Sequence, residues 1–103
     1  MHKSVTIDLI SKTYTVDSFG QRIPAEKSVT VFATLTSISR AEWVSYAQSG
    51  RQGLVPSYVA NVFAGDYNGE SVAEYEGTRY GIYRTYERDD EQVELYLEKK
   101  AGE

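Results

Sequence analysis

Apolar and polar residues alternate along most of this chain, and the alternation predicts strands. Val5, Ile7 and Leu9 interleave with Thr6 and Asp8 to give a first strand. "SKTYTV", Ser11 to Val16, continues or re-forms it. "DSFGQRIPAEK" then breaks the pattern, and Gly20 with Pro24 predicts a mobile loop over Ser18 to Lys27. From Ser28 a long strand follows. Val29, Val31, Ala33 and Leu35 lie on one face, with Thr30, Phe32, Thr34 and Thr36 on the other. After Pro56, Tyr58, Ala60, Val62 and Ala64 alternate against Val59, Asn61 and Phe63. "SVAEYE", "RYGIYRTYE" and "QVELYLEK" are the remaining strands. Asn68-Gly69 reads as the strongest hairpin turn, Glu76-Gly77 as a second, and Arg88 to Glu91 as a third.

One stretch departs from this period. In "SRAEWVSYAQSGRQG", Ser39 and Glu42 have capping-box spacing, in which hydroxyl and carboxylate each satisfy an end amide. Trp43 and Ala47 share one helical face beside Tyr46, which predicts a short helix anchored on the sheet by that face. Gly50 is placed to end it. "SGRQG", Ser49 to Gly53, is too polar and glycine-rich to pack, so it belongs at the surface. The expected fold is mainly β: one domain over residues 1–103, a small antiparallel barrel or sandwich of about six strands, with one short helix in a long connection.

The last hairpin makes a sharper prediction. A turn centred on Asp89-Asp90 sets Tyr86 against Val93, Arg84 against Leu95 and Ile82 against Leu97, all on one face. Arg84 would then sit among apolar neighbours, where a guanidinium needs a carboxylate or must reach water. Two readings stand. The register slips, or the stem lies flat with its head in water; or Arg84 orders a neighbouring loop or subunit. On the opposite face Tyr83 and Tyr96 come side by side, flanked by Glu87, Glu94 and Glu98.

Composition narrows the function classes. The 103 residues are 41% hydrophobic and 25% charged, values that suit a single globular domain. The net charge of −4 comes with no run of Lys or Arg, which argues against specific nucleic-acid recognition. Cysteine is missing, so disulfides, thiolate zinc sites and cysteine nucleophiles are excluded. "MHKSVTIDLI" does not read as a secretory signal, and no apolar stretch approaches the ~20 residues of a membrane helix. The single histidine, His2, is too near the terminus to be expected as a base, so Ser-His-Asp chemistry lacks its parts. "DYNGE" imitates the start of a calcium loop but lacks the later ligands, and reads as a hairpin turn. Glu70, Glu74 and Glu76 read as a solvated strand face rather than a glycosidase pair. "EGTRYG" lacks phosphate-loop spacing. Nine tyrosines against three Phe and one Trp favour surfaces that are partly buried or become buried on assembly; strand preference alone is the plainer cause. Tyr83 and Tyr96 could stack bases, but the surrounding glutamates make a protein partner the better expectation.

Taken in order, "DSFGQRIP", "VFATLTSISRAEW", "QGLVPSYVANVFAGDYNGE", "EYEGTRYGIYRTY" and "VELYLEKK" resemble the head-tail joining (head-closure) family of tailed bacteriophages and prophages. The resemblance spans roughly residues 5–100 and rests on the ordered set rather than on one motif. It implies a structural virion protein, neither enzyme nor cofactor binder. Such a protein is assembled in the host cytoplasm and joins a ring, expected to be a dodecamer, below the portal complex. The ring presents a docking surface for the tail, and DNA passes through it without specific recognition. Isolated chains are compatible with monomers. Partner-contact candidates are Phe19, Gln21 and Arg22 in the first loop, and Trp43 and Tyr46 on the helix. Arg51 and Gln52 in the tail, Tyr83 and Tyr96 on the outer face, and Arg84 complete the set. The tail after the helix is expected at the ring lumen or a neighbouring component. A tail-completion protein and a small oligonucleotide- or sugar-binding barrel are the alternative readings.

Overall fold

In a computed structural model, which describes residues 2–48 and 53–100, the chain forms six antiparallel strands and one helix. The strands are β1 (His2–Val16), β2 (Arg22–Ser37), β3 (Leu54–Phe63), β4 (Val72–Tyr75), β5 (Thr78–Glu87) and β6 (Gln92–Lys100). Helix α1 (Arg40–Ala47) lies in the connection from β2 to β3. The sheet runs β1-β2-β3-β6-β5-β4 and closes into a barrel where Asp8, Leu9 and Ile10 of β1 pair with Glu74, Ala73 and Val72 of β4. The expected fold class, strand number and helix position are all present.

Alternation fills the barrel. Ile7, Leu9, Leu95, Leu97 and Val62 are almost fully buried, and Val31, Leu35 and Val93 pack with them. Ala60 and Ala73, both 0% exposed, complete the core. Tyr58 meets Tyr75 and Tyr80 edge to face, with ring centroids 6.3 and 5.9 Å apart. These rings lie against the core at the end of the barrel where β2 departs for the helix.

β1 and β2 are longer than the barrel requires. Their pairing continues from His2↔Thr36 to Val16↔Arg22, whereas β4 meets β1 only to Ile10 and β3 meets β2 only from Ala33. The surplus is a two-stranded arm. The predicted loop over Ser18 to Lys27 is therefore corrected to a hairpin whose turn is confined to Asp17 through Gln21. The Asp17 carboxylate accepts from the amides of Phe19 and Gln21, both at 2.9 Å, and Gly20 takes φ +79°. Pro24 did not break the strand, because it stands on an edge that meets no other strand among the described residues. Arg79 braces the arm: its guanidinium donates twice to Glu26 at 2.9 Å and once to Glu74 at 3.2 Å. These hydrogen bonds hold the Glu26 carboxyl below the usual carboxylate range.

The β3–β4 connection is the second correction. Asn68-Gly69 turns the chain, with Gly69 at φ +86°, but it does not close a hairpin. β3 pairs with β2 and β6, while β4 pairs with β1 and β5, so this segment crosses the barrel end. Glu70 is not on a solvated strand face. It is buried, its carboxylate accepts from the Asn68 amide at 2.7 Å, and its carbonyl accepts from the Tyr67 hydroxyl. Glu76-Gly77 is a hairpin turn as expected, with both residues at positive φ between Tyr75 and Thr78.

Core and arm differ in what they contribute to stability. Leu95→Ala should cost about 2–5 kcal/mol in urea unfolding, because the barrel cannot collapse around the lost volume. Val16→Ala on the arm, 70% exposed in the native chain, should stay within about 0.5 kcal/mol of the parent.

Candidate functional site

The helix is too short to persist by itself in water, so its contacts with the barrel decide its position. Ser39 caps it as predicted, its hydroxyl accepting from the Glu42 amide at 3.1 Å. The reciprocal half of the capping box does not form. The Glu42 carboxylate instead reaches the sheet, accepting from the Tyr83 hydroxyl at 2.7 Å and from the Arg84 guanidinium at 2.6 Å. The expected anchor is also corrected. Trp43 is 46% exposed and Ala47 is exposed, whereas Tyr46 is the helix residue that is buried. Its hydroxyl donates to the buried Glu98 carboxylate at 2.8 Å, and its ring meets Tyr83 edge to face at 5.1 Å. A tyrosine can make both contacts, apolar and polar, from one side chain.

The sheet presents this face because of two compensating irregularities. The β5–β6 turn holds three residues, Asp89, Asp90 and Glu91, with Glu91 at φ 63° and the Arg88 amide bonded to the Gln92 carbonyl. The predicted two-residue centre slips by one position, giving Tyr86↔Glu94 and Arg84↔Tyr96. A bulge between Ile82 and Arg84 then restores the register, so Ile82 faces Leu97 as expected. Ile82 turns toward the core, while Tyr83 and Arg84 are both available to the outside. Arg84 is thus not among apolar neighbours. Its guanidinium lies 4.0 Å from the Tyr96 ring centre, and its side chain is half exposed.

Four of the sequence-predicted candidates, Tyr46, Tyr83, Arg84 and Tyr96, therefore meet in one cluster between helix and sheet. Tyr83 and Tyr96 are neighbours, with centroids 6.1 Å apart, but they stand edge to face beneath α1 instead of lying open as a stacking platform. Of the flanking glutamates, Glu98 is buried against Tyr46, and Glu94 accepts from the Tyr96 hydroxyl at 2.8 Å. Burial first, and then the bond to the Glu42 carboxylate, push the Tyr83 phenol well above its ordinary range. Burial and Glu94 move Tyr96 the same way. Sequence spacing could not reveal Glu42 and Glu98 as the carboxylates that hold this cluster, since they lie far from their partners along the chain.

The other candidates separate spatially. Phe19, Gln21 and Arg22 are exposed at the tip of the β1–β2 arm, with Arg22 5.8 Å from the Tyr14 ring centre. Tyr14 and Val16 on one face of the arm, Ile23 on the other and Phe19 in the turn are exposed apolar side chains. Arg51 and Gln52, with Gly50, lie outside the described residues. Among the described residues no cluster of His, Asp and Glu is arranged to hold a metal ion, and no helix is long and apolar enough to cross a membrane.

The clamp predicts two measurable effects. Tyr46→Phe removes a hydroxyl donor to a buried carboxylate and should cost about 1–3 kcal/mol. Stability should also fall as pH rises. In the unfolded chain a tyrosine loses its proton near pH ~10, while in the folded chain Tyr83 retains it to higher pH. The folded state then binds more protons, so unfolding becomes easier with each pH step in that range. Urea titrations between pH 8 and 11 should show this fall, and Tyr83→Phe should make it shallower without abolishing it, because Tyr67, Tyr80 and Tyr96 shift in the same direction.

No protein-family model matches the chain, and neither a curated protein nor a solved structure does.

Proposed function

We propose that this chain is a structural connector of a tailed-phage particle, a head-closure protein that forms a ring below the portal and offers a docking surface to the tail. The observation that carries this reading is the β1–β2 arm, which extends past the barrel and exposes Tyr14, Val16, Phe19 and Ile23 at its end. Apolar side chains held out on a hydrogen-bonded hairpin favour contact with a large partner over enclosure of a small ligand. The ordered likeness of "DSFGQRIP", "VFATLTSISRAEW" and the later segments to the head-tail joining family supports the same assignment. Phe19, Gln21, Arg22 and Trp43 are the surface residues assigned to partners. Tyr46, Tyr83, Arg84 and Tyr96 hold the helix that displays Trp43.

A ring of identical chains needs a surface that fits a different surface on the next copy. Each contact can be weak, because docking on a symmetric portal makes the contacts act together. With a net charge of −4 per chain, such a ring gives phosphate little attraction, so DNA passes through its channel without adhering. The protein is assigned to the virion, with assembly in the host cytoplasm.

Electron microscopy of particles made without this chain tests the proposal. The expected result is filled heads that leak DNA, beside unattached tails. Joined, infectious particles at the parent yield would overturn it. Heads that retain DNA but lack tails would move the chain to tail completion.

A further inference from the structure

The chain contains three phenylalanines, and all three are exposed: Phe19 by 88%, Phe32 by 81% and Phe63 by 53%. The core is built without them, although burying one such ring stabilises a protein by about 1.5–3 kcal/mol. Two of the three stand together. β2 and β3 pair until Ala33↔Val62, and one further step would set Phe32 opposite Phe63. Instead β3 remains with β6, through Phe63↔Gln92, and then leaves in a 3₁₀ turn over Ala64–Asp66. The strands part there and open a cleft of about 600 Å³ on the outside of the barrel.

This cleft has defined walls and a defined chemistry. Phe32 and Phe63 line it, Asp66 stands at its end, and Asn61 lies between β2 and β6 on its floor. The Phe63 ring packs on Gly65 so closely that a Cβ there would lie 2.6 Å from Cε2. Only glycine allows that ring position. Asn61 Oδ1 is buried and has no hydrogen-bond partner among the described residues.

We propose that the cleft receives the arm tip of a second copy of this chain. Phe19 enters between Phe32 and Phe63, and Arg22 pairs with Asp66. Charge supports this occupant. Residues 11–28 carry Lys12, Arg22 and Lys27 against Asp17 and Glu26, a net charge of +1 in a chain of −4, which leaves −5 on the rest. Both arm carboxylates are engaged, Asp17 by turn amides and Glu26 by Arg79. The cleft is acidic at Asp66, and Glu91, beside it in the β5–β6 turn, accepts from the Ala64 amide through its carbonyl. Tip and cleft are different surfaces, so a contact that is not exchanged reciprocally between two copies repeats head to tail, into a ring where the rotation closes and a filament where it does not. A hairpin tip covers far less than the roughly 1,200 Å² of a stable complex, so the pair is weak until a platform aligns many copies.

The inference rests on the connector reading only for the expectation that copies meet head to tail. Purified protein tests it, whereas the particle assay tests that reading, so their failures are distinct. The native chain has no cysteine, so a short thiol–thiol cross-linker reports introduced positions alone. A Ser18→Cys protein is mixed with a larger, tagged Gln92→Cys protein at millimolar concentration, where a contact of about 1 mM dissociation constant is half occupied. The expected result is a mixed dimer in excess of either homodimer. Adding Phe19→Ala or Arg22→Glu to the arm protein, or Gly65→Ala to the cleft protein, should lower its yield about tenfold, the effect of ~1.4 kcal/mol. Asp66→Arg in the cleft protein should restore the yield with Arg22→Glu. Circular dichroism confirms that each variant is folded. Mixed dimers no more abundant than homodimers, or a yield indifferent to these substitutions, would overturn the proposal.

Discussion

Closure of the barrel depends on a short ladder. A six-stranded sheet has two open edges until Asp8, Leu9 and Ile10 meet Glu74, Ala73 and Val72. Leu9 and Ala73, both inaccessible to solvent, are packed in the core on either side of that ladder. Backbone pairing and apolar burial thus act at the same place. The ladder also fixes how much of β1 belongs to the barrel. Residues beyond Ile10 lack a β4 partner and continue with β2 as the arm, which Arg79 ties back to the barrel through Glu26 and Glu74. Core and protruding surface are therefore two stretches of the same pair of strands.

Tyrosine serves this small barrel in two separate ways. Tyr58, Tyr75 and Tyr80 pack edge to face against one end of the core. Tyr46, Tyr83 and Tyr96 join the helix to the outer face of β5 and β6. In the second group each hydroxyl meets a carboxylate: Glu98, Glu42 and Glu94 respectively. The ring supplies apolar area and the hydroxyl supplies direction, so an eight-residue helix takes one orientation. Phenylalanine is distributed in the opposite manner, exposed at the arm tip and at the parting of β2 and β3. These six tyrosines hold the fold together, whereas all three phenylalanines face outward, as do Tyr14 and Tyr86.

Local pattern was enough to read the strands, the Ser39 cap and the Glu76-Gly77 turn. Period-two alternation reports which side chains point inward wherever one face is buried. Glycine at positive φ marks turns irrespective of what surrounds them. The arm was legible as chain but not as structure. "DSFGQRIPAEK" has loop composition, and only its pairing with Ser11 to Val16 makes most of it strand. Asn68-Gly69 misled for the converse reason: it turns the chain locally, but the strands it separates belong to different neighbours in the barrel.

The sequence by itself determined a mainly β chain with its helix between the second and third strands, because hydrophobic period and capping chemistry act over a few residues. It also placed Tyr83, Tyr96 and Arg84 on adjoining strands. Tertiary structure alone decided that Glu42 abandons the cap for Arg84 and Tyr83, and that Tyr46 replaces Trp43 as the anchor. It alone decided that β2 and β3 part at Phe32. Those outcomes depend on a one-residue bulge, a three-residue turn and hydrogen-bonded side chains up to 52 positions apart. Such long-range coincidences leave no periodic trace in the chain, since their energy exists only once the barrel has closed.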